Sequence, residues 1–335
     1  MGVQEPQETT TNRAEPELLY HYTDQKGLIG ILGGKEKCIW ATHINYLNDT
    51  SEGRIFADLL LSGLKYRQTL EPRAPVSPLG LYAGLLAVSI DGLETGNPHL
   101  DEALDSGTGA FSWIRNQGAF VASFSAKADL LSQWRAYSDE TGGYSIGFAR
   151  SYLNSVGLRF LERRKESFHQ DANPLVECRY CDQTEEESVT KEIERVIDSY
   201  LAEAGQAYWR SEPQMKEGLK RLGAIAKRHF FPLGRHRAIT KHRSFYEEAE
   251  WRLVFQLERT GTPGSEPEFR LGRSMPVPYF KVDLTCENQA IEIPEIIVGP
   301  CPDPDRAKNS VEGLLRKAGV ERFKVKHSVV PYRNW

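Results

Sequence analysis

The sequence predicts an α+β protein, built on a mixed or mainly antiparallel sheet with a helical insertion. Three observations support this fold class. Short segments rich in β-branched and aromatic residues lie in both terminal parts of the chain. Apolar residues at the spacing of three and four that is typical of amphipathic helices occupy the region 185–232. No Gly/Ser- or Pro-rich linker divides the 335 residues, so we expect a disordered polar tail at 1–17 and a single domain at 18–335.

The first third of the chain is predicted to hold two strands and two helices. Thr23 or Asp24 is expected to cap the first helix, and Gly33-Gly34 to end it. In order, these elements are a strand at 18–22, a helix up to residue 32, a strand at 38–42 and a helix from about 48 to 66.

The later elements follow from alternation of apolar residues for strands and from helical spacing for helices. The apolar seam of the helical insertion consists of Val189, Ile193, Val196, Ile197 and Tyr200. Further strands are expected at 85–90, 120–125, 144–148, 176–180, 250–255, 290–298 and 324–330, and short helices at 129–137 and 311–318.

Composition limits the environments and partners of the protein. The chain has no run of about 18 apolar residues, and its first residues lack the basic and apolar parts of a signal peptide. We therefore expect a cytoplasmic protein with no membrane contact. A net charge of −4 argues against a broad nucleic-acid-coating surface. The basic segment 227–243 either contacts phosphates or is a solvated helix end and loop, and the sequence leaves both open.

The cysteines predict neither a disulfide framework nor a metal centre. Their number is five, which suggests reduced thiols in a cytosolic chain. Cys178 and Cys181 have the spacing of half a zinc site, but no second pair follows, so we expect no metal there.

Several short motifs, taken in order, resemble the bacterial family of unknown function DUF2971. No single motif is diagnostic, and the resemblance rests on their order over roughly residues 18–333. The motifs are Tyr20-His21-Tyr22-Thr23, Leu47-Asn48-Asp49-x-x-Glu52, Ser123-Phe124-Ser125, Gln133-Trp134-Arg135-Ala136-Tyr137, Glu250-Trp251-Arg252 and Ile296-Ile297-Val298-Gly299.

The same pattern is similar to the ADP-ribosyltransferase fold of the H-Y-E type, in particular to DarT-like enzymes. Those enzymes have a His-x-Thr or His-x-Ser strand, an aromatic nicotinamide cleft and a Glu that opens a late buried strand. The resemblance implies that NAD is the substrate, that Glu250 and His21 are catalytic, and that no metal takes part. It implies cofactor-binding roles for Tyr22, Thr23, Ser123, Phe124, Ser125, Trp134, Tyr137 and Arg252.

The chemistry that the resemblance implies is cleavage of the glycosidic bond of NAD. The ribose passes through an oxocarbenium-like state, which a carboxylate such as Glu250 would stabilise. His21 would hold the adenosine-side ribose, and Thr23 or a neighbouring backbone group would anchor the nicotinamide amide. Trp134 or Tyr137 would stack on the cationic nicotinamide ring. The acceptor, whether protein, nucleic acid, small molecule or water, is not specified.

Three functional hypotheses follow. The first is an NAD-consuming ADP-ribosyltransferase or glycohydrolase, of the kind found among toxins and phage-defence effectors. The second is a non-catalytic ligand-sensing or protein-interaction domain, in which Glu250 forms an ion pair with Arg252, Arg135 or Lys241. The third is a metal-dependent nuclease that uses Asp49, Glu52, Glu248 and Glu250. Glu247 and Glu248 also compete with Glu250 for the catalytic role.

Overall fold

The fold is taken from a computed structural model of the chain. It describes residues 15–47, 54–70, 82, 118–138, 142–164, 173–210, 215–257, 266–285 and 291–332. The predicted strand at 85–90, the start of the helix predicted from residue 48, and most of the N-terminal tail lie outside these residues.

The described part of the chain forms a ten-stranded sheet and a separate pair of short strands. The order in the large sheet is β12-β11-β4-β1-β3-β2-β10-β9, with β8 paired to β3 and β5 paired to β8. The strands are β1 Leu18–Asp24, β2 Cys38–His43, β3 Gly118–Ser125, β4 Gly143–Ala149, β5 Leu175–Glu177, β6 Arg179–Cys181, β7 Thr240–His242, β8 Glu250–Leu257, β9 Glu268–Leu271, β10 Pro276–Asp283, β11 Glu295–Val298 and β12 Lys324–His327.

The prediction of an α+β fold with a mainly antiparallel sheet is confirmed. Among the described strands only β11 with β12 and β6 with β7 pair in parallel. Eight α-helices accompany the strands in the described part of the chain. They are α1 Gln25–Gly33, α2 Arg54–Leu70, α3 Leu131–Tyr137, α4 Arg150–Arg163, α5 Gln183–Arg210, α6 Met215–Phe230, α7 Gly234–Ile239 and α8 Pro304–Lys317.

The helices pack in two groups. Helices α1, α4 and α8 cover one face of the sheet and enclose the largest apolar cluster, which includes Leu19, Phe124 and Leu253. Helices α2, α5 and α6 form a second cluster, in which Ile193, Ile197 and Tyr200 are completely buried. This second cluster uses the apolar seam that the sequence predicts for the helical region.

Several boundaries differ from the sequence predictions. Asp24 caps α1, because its Oδ1 accepts a hydrogen bond of 2.6 Å from the Gly27 N–H. The strand predicted at 176–180 is divided into β5 and β6. Helix α8 begins seven residues early, because Asp303 caps it and Pro304 occupies its first turn. Helix α4 and the β9–β10 hairpin were not predicted.

Candidate functional site

A depression opens where two strands of the sheet separate. β1 pairs with β4 along its whole length, and β3 pairs with β8 along its whole length. β1 and β3 touch each other at a single register pair, Tyr20 with Ser125. The depression beside this pair has a volume of about 50 Å³. It is lined by Tyr20, His21, Tyr22, Ser123, Phe124, Ser125, Gln133, Tyr137, Glu248 and Glu250.

Glu250 lies in a buried cluster of alternating charges. Its Oε1 accepts a hydrogen bond of 2.7 Å from Arg252 Nε, and its Oε2 accepts one of 2.6 Å from Lys241 Nζ. Lys241 Nζ also donates to Glu248 Oε2 at 2.7 Å. Among the described residues, two carboxylates therefore face two cations; Glu250, Lys241 and Arg252 are buried, and Glu248 is partly exposed. Both acids border the depression, whereas Lys241 and Arg252 are not part of its lining.

The cluster keeps Glu250 ionised. Burial alone would raise the pKa of its carboxyl group, but the charges of Arg252 and Lys241 and their hydrogen bonds outweigh burial and lower the pKa to about 2. A negative charge is therefore present on Glu250 throughout the physiological pH range. Its Oε1 accepts one hydrogen bond and keeps acceptor capacity for a ligand.

A strained turn places the two acids side by side. Ala249, between Glu248 and Glu250, has left-handed backbone angles of φ 43° and ψ 52°. This conformation is unfavourable for a residue with a Cβ and is often found at functional sites. The backbone is held on both sides, because Ala126 N donates to Ala249 O and Glu250 N donates to the Tyr180 hydroxyl, at 2.9 and 2.6 Å.

His21 borders the depression from the opposite face of the sheet. Directly paired residues share a face, so the register puts Tyr20, Ser125 and Glu250 together and His21 with Phe124 on the other side. The rings of His21 and Phe124 are 5.7 Å apart. His21 Nδ1 lies 3.0 Å from the Ser123 carbonyl oxygen, which can only accept. Nδ1 therefore carries the proton, and the imidazole bridges the gap between β1 and β3.

The protonation of His21 predicts how stability depends on pH. Burial lowers its pKa below the ordinary 6.5, and the Ser123 carbonyl opposes this only in part. Below pH 6.5 the imidazole of His21 is protonated in the unfolded chain but remains neutral in the folded chain. The free energy of unfolding therefore falls as the pH drops below 6.5. We expect wild type to lose up to about 1.4 kcal/mol more per pH unit than His21→Gln, which has no titrating ring. Urea unfolding at pH 7.5 and pH 5.5 measures this, and equal losses in the two proteins would contradict it.

Three other predicted residues of the site hold the wall of the depression. The Tyr22 hydroxyl donates to Lys127 O at 2.8 Å and accepts from Leu130 N at 3.1 Å, which fixes the loop before α3. The Ser125 hydroxyl donates to Glu248 O at 2.6 Å. Ser123 contributes its carbonyl to His21. Their observed contacts are therefore with the protein itself.

The two aromatic candidates on α3 have different surroundings. Trp134 is 1% exposed, packs against Tyr22 and does not border the depression. Tyr137 is 41% exposed and lines the depression. Of the two aromatic residues, Tyr137 is therefore the one that borders the depression. Thr23 and Arg252 also lie outside the lining: Thr23 pairs with Tyr144, and Arg252 binds Glu250 and Ala238 O.

Gln133 was not predicted as a site residue, and Lys241 was predicted only as an ion-pair partner for Glu250. Gln133 lies on α3 one helical turn before Tyr137, so a spacing of four on a short helix was the pattern that could have indicated it. The role of Lys241 depends on how β7 approaches β8, which no local pattern indicates.

The basic segment 227–243 points largely toward other parts of the protein. Arg228 and His229 bind Glu203, His236 binds Glu192, and Arg243 lies 3.7 Å from Asp182. Solvated ion pairs and internal contacts account for these side chains, as in the simpler of the two sequence interpretations.

No group of three potential metal ligands occurs among the residues that the structure describes. Asp49 and Glu52, which the nuclease hypothesis requires, lie outside those residues. Among the described residues, Cys178 and Cys181 are buried. Burial, aided by nearby acids, raises the pKa of Cys181 to about 11. A thiol with such a high pKa remains protonated at neutral pH and is a poor metal ligand or nucleophile.

The fold and the depression together define an α+β domain with a polar cleft at a split in its sheet. Residues 133–253, which include α3, β4 and the start of β8, match the family described as "Protein of unknown function (DUF2971)". This match supports the family resemblance that the motifs indicate. No curated protein and no solved structure matches the chain. Every helix in the described ranges is too short or too polar to cross a membrane.

Proposed function

We propose that the protein cleaves the glycosidic bond of NAD, as an ADP-ribosyltransferase or an NAD glycohydrolase. The observation that supports this proposal is that Tyr137 and Glu250 border one depression, which His21 borders from the opposite face of the sheet. These residues come from β1, α3 and β8, and more than two hundred positions of sequence separate the first from the last.

The arrangement suits a reaction that develops positive charge. When the bond between ribose and nicotinamide breaks, its electron pair leaves with nicotinamide and the ribose becomes oxocarbenium-like. The ionised Glu250 and the neighbouring Glu248 would face this charge, and a carboxylate in a site with little water stabilises it strongly. Tyr137 would stack on the cationic ring before cleavage. An acceptor nucleophile then bonds to the ribose carbon.

Release of nicotinamide tests the proposal. We expect purified wild type to release nicotinamide from NAD, and Glu250→Gln to do so about 100-fold more slowly, because the charge beside the ribose is lost. Glu247→Gln is the matched control, since Glu247 is exposed and does not border the depression. Tyr137→Ala, at a partly exposed position, should weaken NAD binding with its fold intact.

The proposal is overturned if the wild-type protein does not bind NAD and releases no nicotinamide with water, protein extract or nucleic acid as acceptor. Circular dichroism of each variant separates loss of catalysis from loss of folding.

A second function, ligand sensing without catalysis, is favoured by the pairing of Glu250. Both of its oxygens contact cations, and this neutralises part of the charge that catalysis would use. The cavity of about 50 Å³ is also far smaller than the several hundred Å³ of pockets that enclose whole ligands. NAD binding without turnover would support this function.

A further inference from the structure

The outer side of β9 is an open strand edge. Strand β9 ends the large sheet, and among the described strands it pairs only with β10. Pro276 and Pro278 of β10 have no N–H, so the hydrogen-bonded pairs of this ladder fall on the residues between and beside them. Phe269 and Leu271 lie opposite the two prolines, and their N–H and C=O groups therefore point away from β10. Such an edge is a template on which another strand can pair.

The apolar side chains of β9 are also uncovered. Phe269 is 62% exposed and Leu271 is 96% exposed. The register puts both on the same face of the sheet as Phe280, which is buried in the largest apolar cluster. The apolar face of the sheet thus continues onto β9, where its side chains reach the solvent. A strand added beside β9 would bury part of this surface.

The opposite face of β9 carries two opposite charges. Glu268 accepts a hydrogen bond of 3.0 Å from the Tyr279 hydroxyl and lies 3.1 Å from Lys281 Nζ. The guanidinium of Arg270 lies over the ring of Trp40, 5.8 Å from its centroid. Arg270 Nε is buried without a hydrogen-bond partner, and no carboxylate in the described part of the chain forms an ion pair with Arg270. A carboxylate beside Arg270 is therefore the group that β9 lacks.

A second copy of β9 supplies that carboxylate. Antiparallel pairing about a two-fold axis at Phe269 places Phe269 opposite its own copy, and the outward N–H and C=O groups of the two residues exchange hydrogen bonds. Glu268 of each copy then lies opposite Arg270 of the other, which is a favourable cross-strand pair. An axis at Arg270 would instead place two guanidinium groups opposite each other. Charges usually discourage the pairing of edge strands, but their alternation here makes β9 complementary to itself in one register.

We propose that β9 is a self-association surface, at which two copies of the chain join their sheets into one continuous antiparallel sheet. Because β9 has only four residues, the contact is small and we expect a weak dimer whose population rises with concentration. Strands β2 and β10 separate β9 from the gap between β1 and β3, so the dimer leaves the depression open. The inference is therefore independent of the proposed function.

Sedimentation velocity of the full chain at concentrations up to about 0.1 mM tests the inference, because a dimer with a micromolar Kd is populated there. We expect wild type to dimerise. Phe269→Asp and Phe269→Lys should each weaken self-association by about tenfold or more, because each places like charges opposite each other at the axis. An equimolar mixture of these two variants should dimerise again, since opposite charges then meet.

Two further variants complete the experiment. Arg270→Gln keeps the length of the side chain and removes its charge, and should weaken self-association about fivefold through the loss of two symmetric charge pairs. Val329→Lys is the matched control, because Val329 is 88% exposed and follows β12 at the other end of the sheet. It should associate as wild type does. Circular dichroism of each variant verifies that it is folded.

Three results would overturn the inference. The first is a wild-type protein that stays monomeric at about 0.1 mM, the concentration at which even a weak dimer is detected. The second is a dimer that folded Phe269→Asp and Phe269→Lys form as well as wild type does. The third is a mixture of these two variants that stays as monomeric as each variant alone, because a two-fold axis at Phe269 requires the mixture to associate.

Discussion

Glu250→Gln is expected to lower the free energy of unfolding by about 3–5 kcal/mol, the usual effect of removing one partner of a buried ion pair. The variant removes the carboxylate that contacts both Lys241 and Arg252, and both of these cations are buried. Glu248 touches Lys241 and is partly exposed, so it offsets only part of the charge that is lost. Urea denaturation at pH 7 measures the change.

A double variant separates lost charge balance from lost packing. Glu250→Gln/Lys241→Met restores equal numbers of positive and negative charges in the cluster. We expect it to be more stable than Glu250→Gln alone, which is the coupling between contacting residues that a double-mutant cycle detects. Glu247→Gln is the exposed control and should change stability by less than about 0.5 kcal/mol. A double variant as unstable as the sum of the two single ones would contradict the proposed coupling.

The charge cluster also predicts the direction of acid sensitivity. The pKa of Glu250 is about 2 in the folded protein, against an ordinary value of 4.5. Its contribution to stability is therefore complete above pH 4.5 and is lost as pH falls toward 2. The His21 contribution is lost at higher pH, below 6.5, so the two groups act in different ranges.

The sheet was predictable because its strands are continuous apolar segments. β3 and β8 each carry five buried apolar residues, and β1 and β4 each carry three; local composition is enough to identify such strands. Short strands at the periphery were not predictable. β7 and β9 have three and four residues, and their pairing depends on distant partners rather than on their own pattern.

The sequence was sufficient to predict which strands and helices carry the site residues, but not which way their side chains point. The sequence places His21 on β1 and Glu250 at the start of β8. Which face each side chain takes depends on the single register pair between β1 and β3, and a shift of one residue would reverse it. The left-handed turn at Ala249 has no sequence indicator either, since glycine or asparagine would be the expected residue.

Helix α3 gives the clearest case of this limit. Its seven residues make only two turns, so helical spacing alone cannot determine which side faces the core. Trp134 and Tyr137 are both aromatic and three positions apart. Tertiary contacts decide between them: Trp134 Nε1 donates to Asp129 Oδ1 at 2.6 Å, which turns the indole inward.

Trp134→Ala is accordingly expected to destabilise the protein by about 3–5 kcal/mol, the cost of removing a large buried aromatic side chain. The indole packs against Tyr22, with ring centroids 4.8 Å apart, and lies beside Gly299. Its removal also takes one donor from Asp129, which still accepts from Ser328 Oγ and Val329 N at 2.6 and 2.7 Å. Chemical denaturation measures the loss.

Tyr137→Ala is the matched comparison on the same helix. Tyr137 is 41% exposed, so we expect a loss of less than about 1 kcal/mol in stability but a clear loss of affinity for nicotinamide and NAD. The two variants thus distinguish a residue that stabilises the fold, Trp134, from a residue that binds the ligand, Tyr137, on the same short helix. If Trp134→Ala folds normally and loses ligand binding, while Tyr137→Ala binds as wild type does, the aromatic face of the cleft is the indole and the depression must open further than the present structure.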